Sequence, residues 1–132
     1  MIMKKVLFVC VENACRSQMA KGFFNTFTKD ATADSAGTQP AEEVDSVAVK
    51  VMKERNIDIS VFVPKMLSFS MNNMFDFIVT MGCIDGCPIT PKNKTIEWNV
   101  EDPKGEDIGF YRRSRDQIES NVKKLINEVI LR

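Results

Sequence analysis

The chain contains no histidine. That removes the usual general base and the usual nitrogen ligand of transition metals, so any proton transfer must use a carboxyl, a thiol or water. It also lacks an excess of either charge, with 18 basic and 18 acidic residues in 132. No nucleic-acid or membrane-surface partner is expected from so balanced a chain. No apolar run approaches the ~20 residues of a membrane-spanning helix. The opening MIMKK leads straight into a strand pattern with no small-residue cleavage site, so no signal peptide is expected. The chain therefore reads as cytoplasmic, and its length as one domain. In that compartment its four cysteines are better read as catalytic or metal-binding thiols than as structural disulfides.

What is present is concentrated in residues 6–19, VLFVCVENACRSQM. A short apolar run ends on Cys10, and Arg16 and Ser17 follow where a helical pattern begins. The order is strand, Cys-x5-Arg-Ser, helix. A thiol at the end of a buried strand then faces a loop, Val11, Glu12, Asn13, Ala14, Cys15 and Arg16, whose backbone N–H groups converge at a helix N-terminus. Such a nest binds oxyanions. The same donors stabilise a thiolate, so Cys10 is expected to be nucleophilic at neutral pH. Arg16 adds a planar fork that matches a tetrahedral oxyanion. A Cys-x5-Arg spacing alone means little; its position between strand and helix gives it content.

Along the rest of the chain, residues 16–28 read as a helix with Met19, Ala20, Phe23, Phe24 and Phe27 on one apolar face. Residues 31–36 form a weak second strand, closed by Gly37 and Pro40. A second helix is expected from Pro40 to about Arg55, with Val44, Val47, Ala48, Val51 and Met52 as its stripe. A connector at 57–61 precedes Pro64, and residues 65–75 read as a loop with a short helix. Residues 76–81 form a second clear buried strand. A loop with Gly82, Cys83, Gly86, Cys87 and Pro88 follows, then a final strand over 95–100. Residues 101–105 form a turn. A last helix is expected from Glu106 to the end, packed through Ile118, Val122, Leu125, Ile126 and Val129. Strands alternating with helices predict an α/β fold, a parallel sheet covered on both sides, with its site beyond the carboxyl ends of the strands. Cys10 and Cys83 both fall there.

Three further features bear on chemistry. Asp102-Pro103 delivers a carboxyl on a rigid turn, where it can protonate an oxygen leaving group; Asp-Pro is also an ordinary turn signal. The Cys83-x3-Cys87 pair lacks the two further ligands of a zinc site, so no metal is expected. A redox disulfide and a pair of idle thiols both fit its spacing. Met52, Met66, Met71, Met74 and Met81 read as adaptable core filling.

Together VCVENACRSQMA, the DSAG segment at 34–37, IDIS at 57–60, DFIVTMGC-x3-CP and the EDP turn resemble the arsenate reductases built on the low-molecular-weight protein tyrosine phosphatase fold. The resemblance runs in one order through nearly the whole chain. It implies a three-layer α/β/α arrangement around a four-stranded parallel sheet, and no cofactor. It also implies roles. Cys10 would attack arsenate, held by Asn13, Arg16 and the loop amides, while Ser17 would donate to the thiolate and Asp102 would protonate the departing oxygen. Cys83 would then attack the Cys10–arsenic adduct, and Cys87 could take up the oxidation as a Cys83–Cys87 disulfide for thioredoxin. The x3 spacing is tighter than in thioredoxin-coupled members and is more similar to members that use a small thiol with a redoxin. Where thioredoxin-coupled relatives place a potassium-binding Glu, this chain has Lys21, so no such ion is expected. Cys15 is expected to pack, with a protective disulfide to Cys10 as the alternative. A monomer is expected.

Two other functions fit the same residues. The anion loop and Asp102 suffice for phosphomonoester hydrolysis through a phosphocysteine. The tyrosine phosphatases of the family, however, carry an aromatic residue just after Asp-Pro, where this chain has Lys104-Gly105. A non-catalytic oxyanion-binding redox sensor using Cys10, Cys83 and Cys87 is the third.

Overall fold

In the computed structural model of the protein, residues 3–82 and 91–130 are described. Four strands form one sheet: β1 (Lys4–Cys10), β2 (Ala31–Gly37), β3 (Phe77–Met81) and β4 (Thr95–Trp98), in the order β2-β1-β3-β4. Every neighbouring pair is parallel. β1 is central, and Val6, Leu7, Phe8 and Val9 are wholly buried. A strand covered on both faces must be apolar at every position, which is why this run lacks alternation. Its last residue, Cys10, lies beside Gly37, the last of β2.

The helices are α1 (Arg16–Phe27), α2 (Ser46–Lys53) and α3 (Ile108–Leu125), the last continuing as a π-helical turn over Ile126–Ile130. Val6, Phe8, Cys10, Val79 and Met81 meet the apolar faces of all three helices in one core. Phe8 anchors it, with its ring 5.9 Å from Phe24 and 5.6 Å from Trp98. Leu7, Val9, Ala36 and Ile78 point the other way, onto Leu67, Met71 and Phe75. The layer on that face comes from the segment expected to be a loop with a short helix, and it holds a 3-10 turn, Phe69–Asn73.

Several boundaries differ from the sequence expectation. The second helix starts at Ser46, not Pro40, because residues 38–45 spend their amides elsewhere. The N–H groups of Thr38, Gln39, Ala41 and Asp45 donate to the carbonyls of Cys10, Val11, Glu12 and Ala14. β4 ends at Trp98 rather than residue 100, and α3 starts at Ile108, capped by Asp107. Phe27 is 38% exposed; it sits on the last turn of α1, stacked on Phe23 with the Lys123 ammonium over its ring. Met52 and Met81 are buried, but Met66 and Met74 are 56% and 57% exposed. These two lie on the covering segment, above which no further element packs among the described residues, so they are not core filling.

Candidate active site

The Cys-x5-Arg loop is shaped from outside. Besides the four carbonyls held by residues 38–45, Asn13 O accepts from Gln18 Nε2 and Cys15 O from Met19 N. Every carbonyl from Cys10 to Cys15 is thus engaged. In a planar trans peptide the N–H of the next residue points the opposite way, so the amides of residues 11–16 face away from these partners. Cys10, Glu12, Ala14, Cys15 and Arg16 of this loop border one pocket, where such amides can serve an anion. The helix N-cap residue, Cys15, makes no side-chain capping hydrogen bond. The first-turn amides and the positive end of the helix dipole remain available to an anion.

Gly37 permits this approach. A Cβ there would come within 2.6 Å of Val11 O and 2.9 Å of Asn13 N. Asn13 itself has a positive φ of 52°, a conformation that asparagine tolerates better than most residues.

The Lys65 backbone N–H can only donate, and it donates to Asn13 Oδ1 at 2.9 Å. That fixes the amide's orientation, so Asn13 Nδ2 donates to Ser17 Oγ at 2.8 Å. Ser17 Oγ also lies 2.9 Å from Cys10 Sγ, a contact in which either atom can donate; once Cys10 is a thiolate only the Ser17 hydroxyl can. The donors run one way from Lys65 through Asn13 to Ser17, which sits against the sulfur. The side chains of Asn13, Ser17 and Cys10 are buried, where such a network is strong and unpaired members are costly.

Arg16 is buried too, its Nη1 donating to Val100 O at 3.1 Å while Nη2 lies 3.6 Å from Asp102 Oδ2. This guanidinium ties the loop to the turn after β4. Asp102 Oδ1 accepts from Lys104 N at 3.1 Å. Cys10, Glu12, Ala14, Cys15, Arg16, Asp45, Asp102 and Lys104 line one small pocket. Neither Asp45 nor Lys104 is a site residue that the sequence predicts. An Asp before SVA is an N-cap signal, and Asp45 Oδ1 does cap α2 through Val47 N and Ala48 N. Its other oxygen accepts from Tyr111 OH at 2.6 Å.

Cys15 is held neutral: burial pushes its thiol up, and the charges of Asp45, Cys10 and Asp102 add to this against Arg16. Beneath the loop, burial raises the Asp34 carboxyl, but hydrogen bonds from Lys65 and the Ser35 amide, with the charges of Lys65 and Lys21, outweigh it and hold Asp34 below the usual range. Lys21 Nζ lies 3.4 Å from Asp34 and 4.1 Å from the Phe62 ring centroid. Among the described residues no cluster of carboxylates or thiols could hold a metal ion. No helix among them is long and apolar enough to cross a membrane. Cys83 and Cys87 lie outside the described residues. Gly82, which precedes Cys83, packs against Arg16, and a Cβ there would collide with Nη1.

The pocket is thus a thiol under an outward-bonded loop, with an arginine and a carboxyl from a second loop. The chain is similar to known proteins over nearly its full length. Arsenate reductase 1 of Staphylococcus epidermidis is 37% identical over 131 residues, covering 96% of this chain and 98% of that protein. The glutaredoxin arsenate reductase of Synechocystis is 33% identical, covering 96% of this chain and 99% of that protein. Among solved structures, an arsenate reductase in its phosphate-binding state superposes with a TM-score of 0.87 at 30% identity, covering 96% of this chain and 99% of the other. Residues 5–131 match the family described as low molecular weight phosphotyrosine protein phosphatase, and the chain belongs to it.

Proposed function

We propose that this protein reduces arsenate to arsenite, with Cys10 as nucleophile. The observation that carries the reading is the buried contact of Cys10 with Ser17 and Asn13 in a loop whose carbonyls from Cys10 to Cys15 are all hydrogen-bonded, in a chain similar over nearly its full length to arsenate reductases. Arsenate enters as a tetrahedral dianion and is held by the amides of residues 11–16 and by Arg16. The Ser17 proton stabilises the Cys10 thiolate, which attacks arsenic. Asp102, at the pocket edge, gives its proton to the departing oxygen, which leaves as water. The product is a Cys10–S–As(V) adduct.

Reduction requires a second thiol. A Cys83 thiolate attacks Cys10 Sγ; the S–As bond breaks with its electron pair staying on arsenic, which leaves as arsenite, and a Cys10–Cys83 disulfide forms. The close packing of Gly82 on Arg16 supports Cys83 in this role, since one peptide bond separates it from the residue that touches the loop's arginine. A redoxin or a small thiol with a redoxin restores the dithiol, Cys87 serving as the exposed end of the relay in the first case. We further propose a single-domain, monomeric, cytoplasmic enzyme.

The same loop suits phosphomonoester hydrolysis, and weak activity on small aryl phosphates is expected. The variant Cys83→Ser separates the two chemistries. It should lose multiple-turnover arsenate reduction while keeping aryl phosphate hydrolysis. Normal arsenate turnover by Cys83→Ser with thioredoxin would remove Cys83 from the reaction.

A further inference from the structure

Glu12 is an odd residue for an anion-binding loop. Its carboxylate lines the same pocket as Cys10 and Arg16, and on its own it would repel the ligand that the surrounding amides attract. The structure pairs it: Lys104 Nζ lies 2.6 Å from both Glu12 oxygens. The two residues are 92 positions apart, one on the anion loop and one on the turn that carries Asp102. Their side chains are 62% and 31% exposed for Lys104 and Glu12, whereas that of Arg16 is 5% exposed. The pair therefore spans the mouth of the pocket, above a buried base.

Both ends are anchored by backbone. Glu12 O accepts from Ala41 N at 2.9 Å, and Pro103 O accepts from Glu106 N at 2.9 Å. Lys104 N also holds Asp102 Oδ1, so the side chain across the mouth and the proposed acid belong to one rigid turn.

We propose that the Glu12–Lys104 ion pair is a strap that selects free tetrahedral oxyanions over their organic monoesters. The proposal rests on the reading of the Cys10 pocket as the oxyanion site. In a displacement by Cys10 the leaving oxygen lies opposite the sulfur, toward Asp102 and the mouth. In arsenate or inorganic phosphate that oxygen carries only a proton and fits beneath the strap. In an ester it carries a carbon group, which must pass between Glu12 and Lys104 and pull their charges apart to do so. Selection then comes from a cost placed on the wrong ligand.

Binding can be read without turnover, by the protection of Cys10 against iodoacetamide, with the Cys10 peptide quantified by mass spectrometry. The probes are inorganic phosphate and phenylphosphonate, which share a tetrahedral dianion and differ in the carbon group. In the unmodified protein phosphate should protect at the lower concentration. Glu12→Gln and Lys104→Met should each shift the phosphate-to-phenylphosphonate ratio by about three- to fivefold toward phenylphosphonate, the range a half-exposed ion pair can supply. The charge-exchanged double variant, Glu12→Lys with Lys104→Glu, should recover the preference. Raising sodium chloride to about 0.5 M, where the screening length is roughly 4 Å, should lower the ratio in the unmodified protein and leave that of Glu12→Gln unchanged. An unaltered ratio in both single variants would overturn the strap, as would an exchanged variant that folds and protects but does not recover. Failure of phosphate to protect Cys10 at all would instead overturn the oxyanion site itself.

Discussion

Ser17 Oγ receives a hydrogen bond from Asn13 and lies 2.9 Å from Cys10 Sγ, so its removal leaves a Cys10 thiolate without that donor and Asn13 Nδ2 without that acceptor. A hydrogen bond to a charged group contributes about 1.5–3 kcal/mol, or about one to two powers of ten in rate. Ser17→Ala is therefore expected to slow single-turnover attack by that factor without abolishing it. Because Ser17 assists the sulfur and does not contact arsenic, the loss should appear in the rate and not in phosphate affinity. A stopped-flow comparison with phosphate competition checks both. Cys10→Ser, by contrast, removes the nucleophile and should abolish reduction and aryl phosphate hydrolysis together. The nucleophile, the arginine and the serine are legible because their spacing sits between a strand pattern and a helix pattern. Lys104 stands out in the sequence only for the aromatic it replaces, since its partner Glu12 is distant along the chain and local pattern carries no such pairing.

At the scale of elements, the connection between β2 and α2 shapes the loop. Its amides hold loop carbonyls and Asp45 caps α2, with Tyr111 of α3 donating to the same carboxylate. This explains why a helix read from Pro40 begins at Ser46: Pro-Ala-Glu-Glu is a good local start, and tertiary hydrogen bonding to the loop overrides it. The methionines depart from expectation for a related reason. A sequence cannot show that residues 65–75 form the outer layer among the described residues, where Met66 and Met74 are exposed. The strands are clearer, because a central parallel strand must be continuously apolar. Asp45→Ala removes a helix cap, which costs about 1 kcal/mol, or about 4 °C in a chain of this size. The backbone bond from residue 45 to Ala14 O survives, but the segment that makes it loses its side-chain anchors to α2 and Tyr111. Thermal melting should show the loss of stability, accompanied by weaker phosphate protection of Cys10.

Across the whole molecule, the helical layer is tied by charge as well as by its core. Glu54 of the α2 C-cap accepts from Arg112 at 2.8 Å and Arg115 at 2.6 Å on α3. Hydrogen bonds from Arg112 and then Arg115, against a smaller desolvation cost, hold Glu54 at about 2. Its unfolded value is about 4.3, so on acidification the unfolded chain takes the proton first. The stabilisation is present above that value and is lost as pH falls toward about 2. Asp34, also held low, acts in the same direction. The melting temperature should fall across this acid range, and Glu54→Gln should flatten the fall; an unchanged slope would show that the pair does not link α2 to α3. The central claim is tested most directly by arsenate reduction with purified protein under three recycling systems: thioredoxin with its reductase, glutaredoxin with a small thiol, and no thiol. The account predicts multiple turnover in at least one of the first two, none in the third, and none in any with Cys10→Ser. No turnover in any system, alongside hydrolysis of an aryl phosphate, would contradict it and make the protein a phosphatase.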